Sequence, residues 1–239
     1  RQHSMFDSVR RLLVRASTVS AHQSILDSAI FLQIVNNVPG DFLEFGVFRG
    51  ERLMQAYDTV SFLLKRIQSR KDPYLRTCSP KNLEEMRFFG FDSFEGLPEA
   101  AGIDVTEGQE VWLGRGGFSA SLQEVRSLLP RKALDSGRIR LVPGWFNESL
   151  TPELKQKHQL KSAAIVHIDC DYYESTVPVL EFVTDLLVNG SVLIFDDWWM
   201  YHGREDRGEQ RAFYEWKERH GIQTKEFLAG TAMSFIVHR

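Results

Sequence analysis

Two short runs hold the residues best suited to chemistry: His167-Ile168-Asp169-Cys170-Asp171 and Ile194-Phe195-Asp196-Asp197. Each reads as an apolar strand that ends in a pair of acids. Carboxylates brought within a few ångströms repel, and each raises the pKa of the others unless a cation sits between them. Hard divalent cations such as Mg²⁺ choose such oxygen ligands and keep open positions for water or substrate. One aspartate could instead cap the following helix, and another could pair with an arginine. Two acid pairs at neighbouring strand ends favour the metal over that plainer arrangement.

A second run, Asp41-Phe42-Leu43-Glu44-Phe45-Gly46-Val47-Phe48-Arg49-Gly50, reads as a strand, a glycine-bearing turn and the opening of a helix. Gly46 and Gly50 permit a sharp bend and let a ligand approach main-chain amides. The carboxyl end of a first strand is where open α/β sheets hold adenosine-containing cofactors. Gly-x-x-x-Gly alone is a weak signal, since an ordinary tight turn has the same composition. Asp92, at the end of a second strand, adds to it, because a carboxylate there can accept both ribose hydroxyls; its alternative is a turn cap. Trp145 and Phe146 suit either an adenine wall or the core. His167 alternates into the sheet and reads as a core histidine, whereas His202 lies in a loop beside the acids or faces solvent. The 205–211 cluster and 217–220 read as solvated helix faces.

These residues need a scaffold to bring them together. The chain has 239 residues, 43% hydrophobic and 12% aromatic, which suits one sizeable α/β domain over 1–239. Its net charge of -3 and mixed charge pattern give no basic run for nucleic acid or an anionic membrane. Its apolar stretches are strand-sized, short of the roughly 20 residues that span a bilayer. Two cysteines, Cys78 and Cys170, and a polar, amphipathic 1–15 without a secretory signal fit a reduced cytoplasmic protein.

Helical spacing of Ile25, Ala29, Leu32 and Val35 predicts a helix over 4–36, within an amino-terminal extension of 1–38. Strands follow over 42–45, 87–91, 139–142, 163–168 and 192–195, and a closing hairpin over 224–228 and 233–238. Helices are expected after the first strand, over 119–129, over 175–188 with a stop at Asn189-Gly190, and over 208–219. The glycine-rich 95–117 segment reads as a lid or binding loop. Five βα units and a hairpin predict a seven-stranded, mostly parallel sheet with one antiparallel strand near an edge and helices on both faces. Ligands of such a sheet gather at the carboxyl ends of its strands, which puts Glu44, Gly46, Asp92, Trp145, Asp169, Asp171, Asp196 and Asp197 on one rim.

Glu44 to Gly50, Phe91-Asp-Ser-Phe-Glu-Gly-Leu-Pro98, Gly144-Trp-Phe-Asn-Glu-Ser149, Asp169-Cys-Asp-Tyr-Tyr-Glu-Ser-Thr176 and Phe195-Asp-Asp-Trp198 occur in that order. Together they resemble the macrocin O-methyltransferase family, the TylF/MycF-type sugar methyltransferases, over about 38–238. The resemblance implies a Rossmann-like class I S-adenosylmethionine fold and Mg²⁺-dependent methylation of a hydroxyl, typically on a deoxysugar of a natural product. By motif, Glu44, Phe45, Gly46, Arg49 and Gly50 would border the methionine part of the cofactor, with Asp92 and Ser93 at the ribose and Trp145 and Asp169 nearby. Asp169, Asp196 and Asp197 would hold the metal. The resemblance also implies a homo-oligomer whose initial helices help shape the site. Two departures stand out. Glu51 replaces a small residue after the cradle glycine, and no lysine follows Asp169, where catechol-type relatives carry one. That leaves Asp171 and His202 as alternative bases beside Asp169. Other readings are a metal-independent methyltransferase, a nicotinamide-dependent sugar oxidoreductase, disfavoured by the absence of Gly-x-Gly-x-x-Gly and Tyr-x-x-x-Lys, and a non-catalytic methyltransferase-like subunit. The acceptor and the methylated position are not legible.

Overall fold

Five apolar runs, each too short for a helix, build the centre of the molecule. They are β1 (Asp41–Phe45), β2 (Phe88–Asp92), β3 (Ile139–Pro143), β4 (Ala163–Ile168) and the second half of β5 (Leu187–Phe195). The computed structural model describes residues 21–71, 73, 75–105 and 114–239. Residues 4–20 of the expected first helix and 106–113 of the expected lid lie outside the described residues.

β1 and β4 are buried along their whole length, as parallel strands covered on both faces must be. The hairpin strands are β6 (Gln223–Ala229) and β7 (Met233–His238), and the sheet order is β3-β2-β1-β4-β5-β7-β6. β7 alone runs against the others, pairing antiparallel with both β5 and β6. The expected class I methyltransferase sheet is therefore present. The order reverses between β1 and β4, and at such a switch point the connections diverge and leave a crevice.

Helices α1 (Ala21–Asn36), α2 (Glu51–Ser69) and α3 (Leu122–Leu128) cover one face, through residues such as Leu26, Ile30, Leu53, Val60 and Val125. Helices α4 (Tyr173–Val183) and α5 (Gly208–His220) cover the other with Val179, Leu180, Phe182, Phe213 and Trp216. Among the described residues, no helix is long and apolar enough to cross a membrane.

Three boundaries differ from expectation. α1 buries Ile25, Leu26, Ala29, Ile30 and Ile34, while Val35 is 46% exposed. Apolar residues surround most of this helix, so spacing alone did not select the buried face. α4 stops at Val183, and Asn189-Gly190 lies inside β5 instead of ending a helix. There the register with β4 shifts between Ala163 and Ile165, and Gly190 at φ 91° rests on Val38. An Asn-Gly pair can mark a strand irregularity as readily as a helix stop. α3 begins at Leu122, after Ser121 accepts the Glu124 amide as N-cap.

Candidate active site

The turn after β1 is tight because three chains meet there. Gly46 donates to the Phe91 carbonyl at 3.0 Å, and Asp169 donates to the Phe45 carbonyl at 2.9 Å. A Cβ on Gly46, at φ 87°, would lie 1.8 Å from the Asp169 carbonyl oxygen, so only glycine fits. Asp92 completes the turn. One of its oxygens accepts the Val47 and Phe48 amides at 2.6 and 3.1 Å, and the other accepts the Phe94 amide at 2.7 Å. The acid expected at a ribose thus organises its own cradle while still lining the cavity above it.

That cavity has a volume of about 460 Å³ and runs along the carboxyl ends of the strands. It is lined by the predicted Gly46, Asp92, Ser93, Trp145, Asp169, Asp171, Asp196 and Asp197. Five other candidates do not line it. Phe45 turns its ring into the core on one face of the sheet, stacked on Phe91 at 4.7 Å. Glu44 is 1% exposed and lies beneath the cradle, one residue too early to reach the opening. Arg49 is exposed and lies over the Phe48 ring at 5.2 Å. Gly50 caps α2 and abuts Val125 and Leu129. His202 is exposed.

Beyond β4 and β5 the acids converge. Asp169, Asp171 and Asp197 offer carboxylate oxygens that all lie within 4.8 Å of one another. Asp196 stands beside them, with Oδ1 3.9 Å from the buried His167 Nε2. Asp171 adopts φ 58°, and its amide donates to Asp197 Oδ2 at 2.9 Å. Among the described residues, no lysine or arginine forms an ion pair with Asp169, Asp171 or Asp197. Burial, followed by repulsion from Asp197 and Asp196, pushes the Asp169 carboxyl well above the usual range. Burial and the Asp171 charge do the same to Asp197. Asp171 rises from 3.8 to about 6, through burial and then Asp196. An all-oxygen donor set of this charge, crowded and open to a cavity, suits a hard divalent cation.

Several residues of the site were not legible in the sequence. Glu209, taken for part of a solvated face, is 2% exposed. Asp104 is fully buried and caps α4, accepting the Tyr173 and Glu174 amides at 2.8 and 3.0 Å. The 95–117 segment is therefore anchored where it is described: Asp104 ties it to α4, and Leu97 pairs with Gly116 and Gly117. Phe48 and Phe118 meet edge to face at 5.7 Å on the cavity wall.

The seven-stranded sheet with its antiparallel β7 and a glycine turn at the switch point is the Rossmann-like sheet of the class I methyltransferases. The description "Macrocin-O-methyltransferase (TylF)" applies to the family whose model matches residues 76–228, and the chain belongs to that family. It is an S-adenosylmethionine-dependent O-methyltransferase. It is 27% identical over 225 residues to the 8-demethyl-8-(2,3-dimethoxy-alpha-L-rhamnosyl)-tetracenomycin-C 4'-O-methyltransferase of Streptomyces olivaceus, covering 90% of this chain and 75% of that one. It is 24% identical to the mycinamicin III 3''-O-methyltransferase of Micromonospora griseorubida, covering 91% and 74% of the two chains. The solved O-methyltransferase NovP shares the fold, with TM-score 0.67 and 20% identity over 91% of this chain and 80% of that one. The nicotinamide-dependent alternative has no support in these findings.

Proposed function

We propose that this chain methylates a hydroxyl on a sugar carried by a natural product, with a divalent cation held where β4 and β5 end. The observation that carries this reading is the carboxylate triangle of Asp169, Asp171 and Asp197 in the same cavity as the Gly46 cradle. The Streptomyces olivaceus relative acts, by its name, on a rhamnosyl-bearing tetracenomycin, which supports a sugar hydroxyl as acceptor.

In this reading S-adenosylmethionine would supply an electrophilic methyl group, and the Gly46 turn would hold its methionine part. Asp92, whose carboxylate accepts three amides, would hold the ribose together with Ser93, and Trp145 would wall the adenine, since all three line the cavity. Asp169, Asp196 and Asp197 would hold Mg²⁺, which supplies Lewis acidity that makes a hydroxyl easier to deprotonate. Asp171 takes the hydroxyl proton. It lines the cavity next to the acids at the two strand ends, within reach of a hydroxyl bound there. His202 is set aside as base because it does not line the cavity. Positioning the acceptor against the methyl group contributes up to roughly 7–11 kcal/mol in well-oriented systems.

Radiolabelled methyl transfer to a panel of rhamnosides, with Mg²⁺ or with EDTA, tests the reading. Turnover that depends on Mg²⁺ and stops with EDTA is the expected result. Turnover indifferent to EDTA removes the cation, and transfer only to non-sugar hydroxyls removes the sugar. Mn²⁺ binding by Asp171→Asn, read by electron paramagnetic resonance, separates base from ligand: retained binding fits a base, and lost binding makes Asp171 a ligand.

A further inference from the structure

Helix α5 begins against the two acid-bearing loops. In its first turn Glu209 is 2% exposed, and each of its carboxyl oxygens leaves the helix for a different loop. Oε1 accepts the Cys170 amide at 3.4 Å, and Oε2 accepts the Asp197 amide at 3.1 Å. Cys170 stands between Asp169 and Asp171, and Asp197 is itself one of the clustered acids. Gln210, the next residue, donates to the Trp198 carbonyl at 2.6 Å. The start of α5 therefore holds the main chain of both loops.

An acid in the first turn of a helix ordinarily serves its own helix, favoured by the helix dipole or by capping. Glu209 does neither through its oxygens, since both are committed to segments 39 and 12 residues away. Its charge cannot favour the cluster either. Burial first, then repulsion from Asp197 and Asp169, raises its carboxyl well above the usual range. A costly buried acid beside other acids is explained by the geometry it imposes. Without it, two loops carrying like charges would be free to move apart, and the amides of Cys170 and Asp197 would be buried without acceptors.

We propose that Glu209 is a positioning residue that clamps the loops after β4 and β5, holding the cation-site acids Asp169 and Asp197 and the base Asp171 together in one cluster. The inference rests on the reading of those acids as a cation site, and it concerns what keeps that site assembled. Two acceptor oxygens are needed. Glu209→Gln keeps the volume but turns an N–H donor toward a main-chain N–H, and Glu209→Asp is one methylene too short to span both amides.

The experiment compares wild type with Glu209→Gln, using Mn²⁺ and S-adenosylhomocysteine as separate probes. Mn²⁺ affinity by electron paramagnetic resonance is expected to fall 10–100-fold, the range seen when groups supporting metal ligands are removed. Affinity for S-adenosylhomocysteine by calorimetry stays within about twofold, because the Gly46 and Asp92 half is untouched. Amide exchange at Cys170 and Asp197 accelerates, while exchange at Val166 and Leu193 in the strands does not. Unchanged exchange at Cys170 and Asp197 overturns the clamp. A parallel loss of both affinities with a general rise in exchange also overturns it, leaving Glu209 a residue of the fold alone. Wild type that binds no Mn²⁺ overturns the cation reading, and the amide measurement then still decides whether the two loops are clamped.

Discussion

The two ends of the same strands treat their acids in opposite ways. At the amino end, Asp41 opens β1 and is 5% exposed, but Arg87 compensates it. The guanidinium donates to both Asp41 oxygens, at 3.0 and 2.5 Å, and to the carbonyls of His158 and Gln159. At the carboxyl end, Asp169, Asp171 and Asp197 face one another, with Glu209 behind them and pKa values displaced upward. One end is electrostatically complete and serves stability. The other has no lysine or arginine partner among the described residues, as a site for a cation and a proton acceptor requires.

Substitutions at the two ends should separate accordingly. Asp169→Asn is expected to lower methyl transfer by at least about 100-fold, since losing a ligand costs no less than losing the groups behind one. Its thermal midpoint should hold or rise as repulsion is relieved; a fall in the midpoint would break the contrast. Asp41→Ala should do the reverse. Leaving Arg87 without its partner is expected to cost about 3 kcal/mol, read by urea unfolding, with S-adenosylhomocysteine affinity unchanged.

A pH series sharpens the same contrast without mutation. Asp171 binds its proton more tightly folded than unfolded, with a pKa near 6 against 3.8. The stabilisation is complete below 3.8 and is lost as pH rises through about 6, so the protein without metal should lose stability between pH 4 and 7. Mg²⁺ should flatten that slope. A flat profile without Mg²⁺ would mean the acids are already compensated. The smallest effect is expected from His202→Ala, which should change turnover by about twofold or less, as substitutions away from a site do.

The sequence carried much of the sheet because its signals are local. Apolar runs ending in acids or glycines marked β1 to β4, and the hairpin turn marked β6 and β7. It carried the rim for the same reason, since Asp92, Asp169 and Asp197 end their strands. It did not tell rim from floor within a run. Glu44 and Phe45 precede Gly46, and both are buried below the rim on opposite faces of the sheet, which spacing alone does not reveal. Within 205–211, Glu205 and Asp206 are exposed as expected, but Glu209 and Gln210 are buried, because charge composition cannot show that the first turn of α5 is pressed against two loops.

The residue order by itself determined the strand ends, the glycine at the switch point and the family. The first two follow from backbone sterics and hydrophobic runs read over a few residues, and the family from the resemblance carried by five motifs in order. Only the tertiary structure decided which acids meet, that Asp92 is bound by the amides of another turn 44 and 45 residues away, and that Glu209 and Asp104 are buried and committed. Burial and electrostatic coupling belong to groups distant in the chain, so they come into being only when the sheet closes and its helices dock.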